Sequence, residues 1–507
     1  MKRVDAGPAR VFDTRASGVL FHPTSLPGPH GIGDLGAEAH HFVELLALGR
    51  QSFWQMLPIG PAGAGNSPYS SPSSFAGNPL LVSLTRLVND GLLRADEIEP
   101  PQKLARSRRA DYAGARRFRE TRLRAACKRF ATRAAPALRQ ELEDFRQSHA
   151  DWLADFALFM ALHREHPKKS WVEWPAALRQ RDPKALMAAR NRLREEVEYH
   201  ELVQFLFDHQ WRALRAHSSA LGVRLLGDVP MFVAHDAAEV WQASRAFKLD
   251  RRGQKLVQAG VPPDNFSATG QLWGNPLYDW KALEASGYDF WVTRLRVALS
   301  RFDAVRLDHF IGFHRVWECP PRARNAARGR FVHVCGDELL KRLASELGGL
   351  PFVAEDLGIV TPDVHALRDR FGLPGMRVVQ FGFDPGASEH LPHRFPEHAL
   401  ACTGTHDTDT IAGWFSKLLA PAKRRVCRYA GGRPETIHWD LIRAAAMSRA
   451  NLLIVPIQDI LGLGSSERMN VPGTARGNWE WRLDAGQLDK RVIHRLGELT
   501  CDYERAR

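Results

Sequence analysis

Eight short apolar runs, each closed by turn-forming or charged residues, recur along this chain. They are GVLFHP (18–23), FWQMLP (53–58), VRLLGD (223–228), AVRLDH (304–309), FVAED (352–356), MRVVQFGF (376–383), LACTGTHD (400–407) and LLIVPIQD (452–459). Most are separated by segments of helical period. One is DLGAEAHHFVELLALG, with Asp34 read as the N-cap and Gly49 just past the end; GDELLKRLASELGG and TPDVHALRDRFG are others. Strands alternating with helices make parallel βαβ units, and parallel strands, buried on both faces, read as continuous apolar runs. Eight such units predict an α/β fold, a (β/α)8 barrel spanning 1–507 as one catalytic body.

Two gaps are too long for a simple crossover. About 165 residues separate the second and third runs, and 90–215 reads mainly as helices, an inserted subdomain. About 75 residues separate the third and fourth runs, an insertion placed at 245–290. It contains GVPPDNFSATGQLWGNPLYDW, too rich in Gly, Pro, Asn and aromatics for one helix, and long structured loops of this kind usually carry function. No internal repeat or low-complexity linker is visible.

The formal charge of +13 raises the question of nucleic acid. Residues 101–140 alone contribute +11, in a helix-prone, alanine- and arginine-rich stretch. No nucleic-acid motif accompanies it, so a solvated helical face is the favoured reading. The six cysteines are scattered without a CxxC pair, which points to reduced thiols and a cytoplasmic setting. No secretory signal and no apolar run of membrane-spanning length is visible. Gly31, Gly33 and Gly36 match GxGxxG, but they lie several residues beyond a strand, and the next strand lacks the terminal acid that dinucleotide binding needs. No cofactor and no metal is expected.

In a barrel of this type the active site lies at the C-terminal strand ends. Those ends carry Asp228, Arg306, Asp308, Glu355, Asp356, His406, Asp407, Gln458 and Asp459. Asp236 and Asp363 read as helix caps. Carboxylates converging on one cleft suit metal binding or glycosidic bond cleavage, and the scarcity of histidines disfavours metal. In a glycosidase one acid stays ionised and the other holds a proton. Arg306 and Asp308 are two apart and share one face of their strand, so the guanidinium is expected to keep Asp308 charged, as a nucleophile. Glu355, followed by Asp356, is the candidate acid/base, its proton held by the negative surround.

Beyond these acids the chain resembles the 4-α-glucanotransferase family (amylomaltases, disproportionating enzymes) of the α-amylase superfamily. The resemblance runs through SGVLFHPTSLPGPHGIGDLG, WQMLPIGP, NSPYSSPSSFAGNP, GDVPMFVAHDAAEVW, GVPPDNFSATGQLWGNPLYDW, VRLDHFIG, VAEDLG, FGLPGMRVVQFGF, TGTHDTDT and DILGLGSSERMNVPGTARGNWEWR. It implies retaining transfer of an α-1,4-glucan segment to another glucan or to glucose, with Asp308 as nucleophile and Glu355 as acid/base. It also implies Asp407 as a third acid that holds the distorted sugar, His406 beside it, and Arg306 and Asp228 as supporting residues. The insertion between the third and fourth strands becomes a lid. Tyr69, Gln271, Trp273, Asn275, Asn470 and Trp479 become sugar contacts, because aromatic faces and amides suit CH faces and hydroxyls. Neither nucleic acid nor membrane is implied as a partner. The chain departs from the family pattern at Asn265, Ala64 and Thr408, which leaves the three acids intact. The alternatives are an α-glucan hydrolase of the same superfamily and a non-catalytic glucan-binding protein. For the retaining mechanism the Asp308 and Glu355 carboxyls are expected about 5–5.5 Å apart.

Overall fold

The eight apolar runs form eight parallel strands that close on one another. In the computed structural model, which describes residues 10–263 and 267–506, the strands in chain order are β1 (Ala16–Leu20), β2 (Phe53–Gln55), β3 (Arg224–Val229), β4 (Gln258–Val261), β5 (Gln271–Pro276), β6 (Ala304–Leu307), β7 (Arg315–Cys319), β8 (Arg330–His333), β9 (Phe352–Ala354), β10 (Gly375–Val378), β11 (Ala399–Cys402) and β12 (Leu452–Pro456). The closed barrel runs β1-β12-β11-β10-β9-β6-β3-β2, a (β/α)8 barrel with one strand from each apolar run. Most of its strand residues are buried, as parallel strands covered by helices must be. Gly227, just before Asp228, lets β3 lie against Phe302: a Cβ there would stand 2.3 Å from the ring.

The remaining four strands form an antiparallel sheet, β5-β4-β7-β8. Two come from the insertion between β3 and β6. The other two, β7 and β8, follow β6 directly and were not anticipated from sequence. β8 is mostly exposed, so it lacks the apolar alternation by which a half-buried strand is recognised.

Helices fill most of the span between β2 and β3 and end in the 27-residue helix Arg194–Ala220. Its buried Gln204 and Gln210 each bond both ways to backbone, Gln204 to Gly77 at 2.7 and 3.0 Å and Gln210 to Ser83 at 2.7 and 3.1 Å. Paired amides of this kind fix the stretch after Tyr69 against the long helix. The arginine-rich stretch forms the helix Tyr112–Arg133, and its charges are partly spent inside the protein. Arg119 is fully buried and pairs with Asp34 at 2.9 Å; Arg124 bonds Glu196 at 2.8 Å; Arg129 bonds Glu97 at 2.6 Å.

Three cap readings need correction. Gly36, not Asp34, is the N-cap of the helix Ala37–Leu48, and Gly49 caps its C-terminus as expected. Asp34 instead accepts from the Gly36 N–H at 2.9 Å and serves Arg119. Asp236 accepts from Trp171 N–H and the Ser170 hydroxyl, each at 3.1 Å, while Ala237 is the N-cap of its own helix. Asp363 lies in the first turn of a helix capped by Thr361. Among the described residues no helix is long and apolar enough to cross a membrane.

Candidate active site

Strand register sets the first contact. Asp228 on β3 stands opposite Arg306 on β6. Nη1 of Arg306 donates to both Asp228 oxygens at 2.8 and 2.7 Å, and Nη2 reaches Oδ1 of Asp308 at 2.8 Å. The Tyr69 hydroxyl donates to Oδ2 of Asp228 at 2.7 Å. Burial, then the neighbouring Asp228 carboxylate, push that hydroxyl well above its ordinary pKa, so it stays a donor. The planar guanidinium fork meets the two carboxylates through separate nitrogens held in fixed geometry, which the single nitrogen of an ammonium could not reproduce. The two acids differ in access: the Asp228 side chain is 0% exposed and Asp308 27% exposed. Asp228 is consumed internally, whereas Asp308 keeps an open edge.

Glu355 follows β9, and its N–H donates to Leu307 O at 3.1 Å. Its Oε2 accepts the backbone N–H of His309 at 2.6 Å. Burial raises the Glu355 carboxyl to about 8, with Asp308 and, less, Asp356 adding to it, against Arg306 and the His309 N–H. The raised value was anticipated, but its cause differs from the expectation. Asp356 is the least of these influences, because it turns away, accepts the Met376 N–H at 2.7 Å and is neutralised by Arg368. Burial leads.

The third acid sits on the loop after β11. Oδ1 of Asp407 accepts from Asn470 Nδ2 at 2.7 Å and lies 3.3 Å from His406 Nε2. Arg468 donates to the Asp407 backbone carbonyl at 2.8 Å, and the Asn470 N–H donates to His406 O at 3.1 Å. The Asp407 side chain remains 47% exposed. Tyr69 joins the two halves of the site. While bonded to Asp228 it stacks on His406 with centroids 5.1 Å apart, and Trp479 lies 5.8 Å from Tyr69 and 5.9 Å from His406.

On β5 the Trp273 indole N–H donates to Gln271 Oε1 at 3.3 Å, so these two share one face; Gly274, at φ +77°, and a register shift against β4 break the alternation before Asn275. Trp273, 38% exposed, meets His309 edge-on at 4.9 Å. This brings β5 to the residue that bonds Glu355.

A family model described as 4-alpha-glucanotransferase matches residues 21–488. The chain belongs to the 4-alpha-glucanotransferase family. A 4-alpha-glucanotransferase of Thermus thermophilus is 46% identical over 500 residues, covering 97% of this chain and 99% of that protein. One of Synechocystis sp. is 45% identical, covering 98% and 99%. The solved structure of amylomaltase from Streptococcus agalactiae in complex with acarbose matches at a TM-score of 0.93 and 37% identity, over 97% of this chain and 100% of that one. The family's transfer activity is thus that of an enzyme, and a glucan is its substrate.

Within this 4-alpha-glucanotransferase fold, not every strand-end polar residue joins the centre. Asp459 is buried, accepts from the Thr403 hydroxyl at 2.6 Å and from Ile411 N–H at 2.7 Å, and so ties β12 to the segment after β11. Burial raises it to about 6. Gln458 donates to Glu467 O at 3.5 Å. Thr408 closes its own turn: its hydroxyl accepts from Thr405 N–H at 3.0 Å. Ala64 lies in a 3-10 turn before Tyr69, and Asn265 lies outside the described residues. Sequence reasoning missed the backbone N–H of His309 and the guanidinium of Arg468. A His directly after the strand-end Asp308 was the only local signal for the first.

Proposed function

We propose that the chain transfers α-1,4-glucan segments by retaining double displacement. Asp308 attacks the anomeric carbon while Glu355 protonates the leaving 4-oxygen; a covalent glycosyl-Asp308 forms. Glu355, now deprotonated, removes the proton from the 4-hydroxyl of an acceptor glucan or glucose. That oxygen attacks the same carbon and Asp308 leaves. One observation carries this reading. Two carboxyls follow neighbouring barrel strands, β6 and β9, with Asp308 ion-paired to Arg306 at 2.8 Å and Glu355 raised to about 8, the environments a nucleophile and an acid require. Asp407, exposed but fixed by Asn470, holds sugar hydroxyls as the ring distorts. Tyr69, His406 and Trp479 form the wall beside it. Gln271, Trp273 and Asn275 line the acceptor side of a lid made by the 245–290 insertion, with 90–215 a helical subdomain buttressing the opposite rim. A lid that excludes water favours an acceptor sugar over hydrolysis. Acarbose in the related amylomaltase supports glucan as the ligand. The setting is cytoplasmic, with no nucleic acid and no membrane involved.

Incubation with maltotriose tests this. Transfer yields glucose and a ladder of longer oligosaccharides with little gain in reducing ends, and Asp308→Asn abolishes it. A steady rise in reducing ends without a ladder, or an active Asp308→Asn enzyme, overturns the reading.

A further inference from the structure

The arginine-rich helix Tyr112–Arg133 touches the site through its first residue. Asp111 caps the helix, accepting the Gly114 N–H at 2.8 Å, and so fixes the direction of Tyr112. The Tyr112 ring is buried, and its hydroxyl donates to the backbone carbonyl of Trp479 at 2.9 Å. Trp479 is an unusual residue to hold: its φ is +66°, in the left-handed region that non-glycine residues rarely adopt. Its own N–H donates to Met469 O at 2.7 Å, which straps the two arms of the 466–482 loop together. Next to Met469 stands Asn470, the side chain bonded to Asp407. The segment just before this helix adds Ala110 N–H to Glu480 O at 2.7 Å, Arg482 to Ser107 O at 2.9 Å and Arg109 to Ser466 O at 2.8 Å.

We infer that Tyr112 is a positioning residue for the transfer reaction: its hydroxyl holds Trp479 in the left-handed conformation and thereby sets where Asn470 places Asp407. The helical insertion is then part of the catalytic apparatus, and the job of its first turn is to latch the loop that carries the wall and the orienting amide. Removing the hydroxyl leaves the buried Trp479 carbonyl without its partner and lets the strained residue relax. The effect falls on kcat more than on KM, because an acid that engages the distorted ring acts in the transition state.

The inference rests on the role proposed for Asp407, and the experiment separates the two. Tyr112→Phe keeps the ring and the fold. Its kcat on maltotriose is expected to fall about tenfold with KM within twofold and the thermal midpoint little changed. In an Asn470→Ala background the same substitution is expected to cost less than twofold, because the route from Tyr112 to Asp407 is already broken. Arg109→Ala, at an exposed site that the core does not need, is expected to show a smaller loss with the same non-additivity. An unchanged kcat in Tyr112→Phe, or a loss of equal size in both backgrounds, overturns the latch. Asp407→Asn tests the underlying assignment by itself: an active Asp407→Asn enzyme removes that assignment. An inactive one beside an unaffected Tyr112→Phe enzyme removes only the latch.

Discussion

The backbone N–H of His309 donates to Oε2 of Glu355 at 2.6 Å, and it can do so because His309 stands in the left-handed region, at φ 50°. The turn directly after β6 therefore serves two acids. Its start carries Asp308, gripped by Arg306, and its next peptide holds one oxygen of Glu355. The other oxygen of Glu355 is left to carry a proton, and burial keeps that proton on to about 8.

This fixes the alkaline limb of the pH profile. The proposed acid is active when protonated, so its competent fraction is full well below pH 8 and falls as pH rises through about 8. The kcat/KM for maltotriose, which reports the free enzyme, is expected to decline tenfold per unit above that point. Glu355→Gln is expected to remove the limb along with nearly all activity. A limb near the ordinary Glu value would show that burial does not control this carboxyl.

The conformation of His309 gives a second test. Glycine at 309 keeps the N–H and adopts positive φ without strain, losing the ring contacts with Trp273 and Phe232. His309→Gly is expected to retain kcat within about fivefold with a raised KM for acceptor. Valine keeps the N–H too, but a β-branched residue resists this backbone at a cost on the order of 1–2 kcal/mol. His309→Val is therefore expected to lose far more kcat than His309→Gly. Burial lowers the His309 ring to about 4, so neither effect comes from lost charge at neutral pH.

Arg306 makes a third. One guanidinium contacts Asp228 at 2.7 Å and Asp308 at 2.8 Å. Lysine keeps the positive charge but has one nitrogen, so it cannot keep the separate Nη1 and Nη2 contacts that fix both carboxylates. Arg306→Lys is expected to lower kcat by about 10²-fold or more while substrate still binds, since misplacing Asp308, the proposed nucleophile, is penalised in the chemical step. Single-turnover kinetics with trapping of the glycosyl-enzyme would show the loss in its formation.

Much of this was legible in the sequence, for physical reasons that also explain the failures. Parallel barrel strands are buried on both faces, so eight uninterrupted apolar runs announced all eight. Arg306 and Asp308, two apart at a strand end, had to share a face, and they meet. Glu355 and Asp356 are adjacent, and neighbours at a strand end point apart, so reading Asp356 as the main influence on Glu355 ignored that parity. Strand β8 was hidden by its exposure. Asp34 looked like a cap because local sequence does not show Arg119, 85 residues away, which claims its carboxylate. Partners at long separation set the roles of Asp34, Asn470 and Tyr112, and no local pattern encodes them.

Asp34 and Arg119 also provide the fourth prediction. The Arg119 side chain is fully buried and meets Asp34 at 2.9 Å. Burial alone would raise Asp34, but Arg119 and His30 outweigh it and hold it at about 2. Removing the guanidinium leaves a largely enclosed carboxylate without its main partner, which typically costs about 3–5 kcal/mol. Arg119→Ala is expected to show that loss in denaturant unfolding at pH 7, with maltotriose transfer retained in the folded fraction. The pH dependence follows from the sign of the shift. A carboxyl depressed in the folded state contributes stability that is present above its unfolded value and lost as pH falls through about 2. In the variant the unpaired carboxyl instead prefers its proton, so acid relieves it. The gap between parent and Arg119→Ala is therefore expected to narrow as pH falls from about 4 towards 2. A gap that stays constant across that window would mean the lost stability came from packing around the guanidinium rather than from its charge.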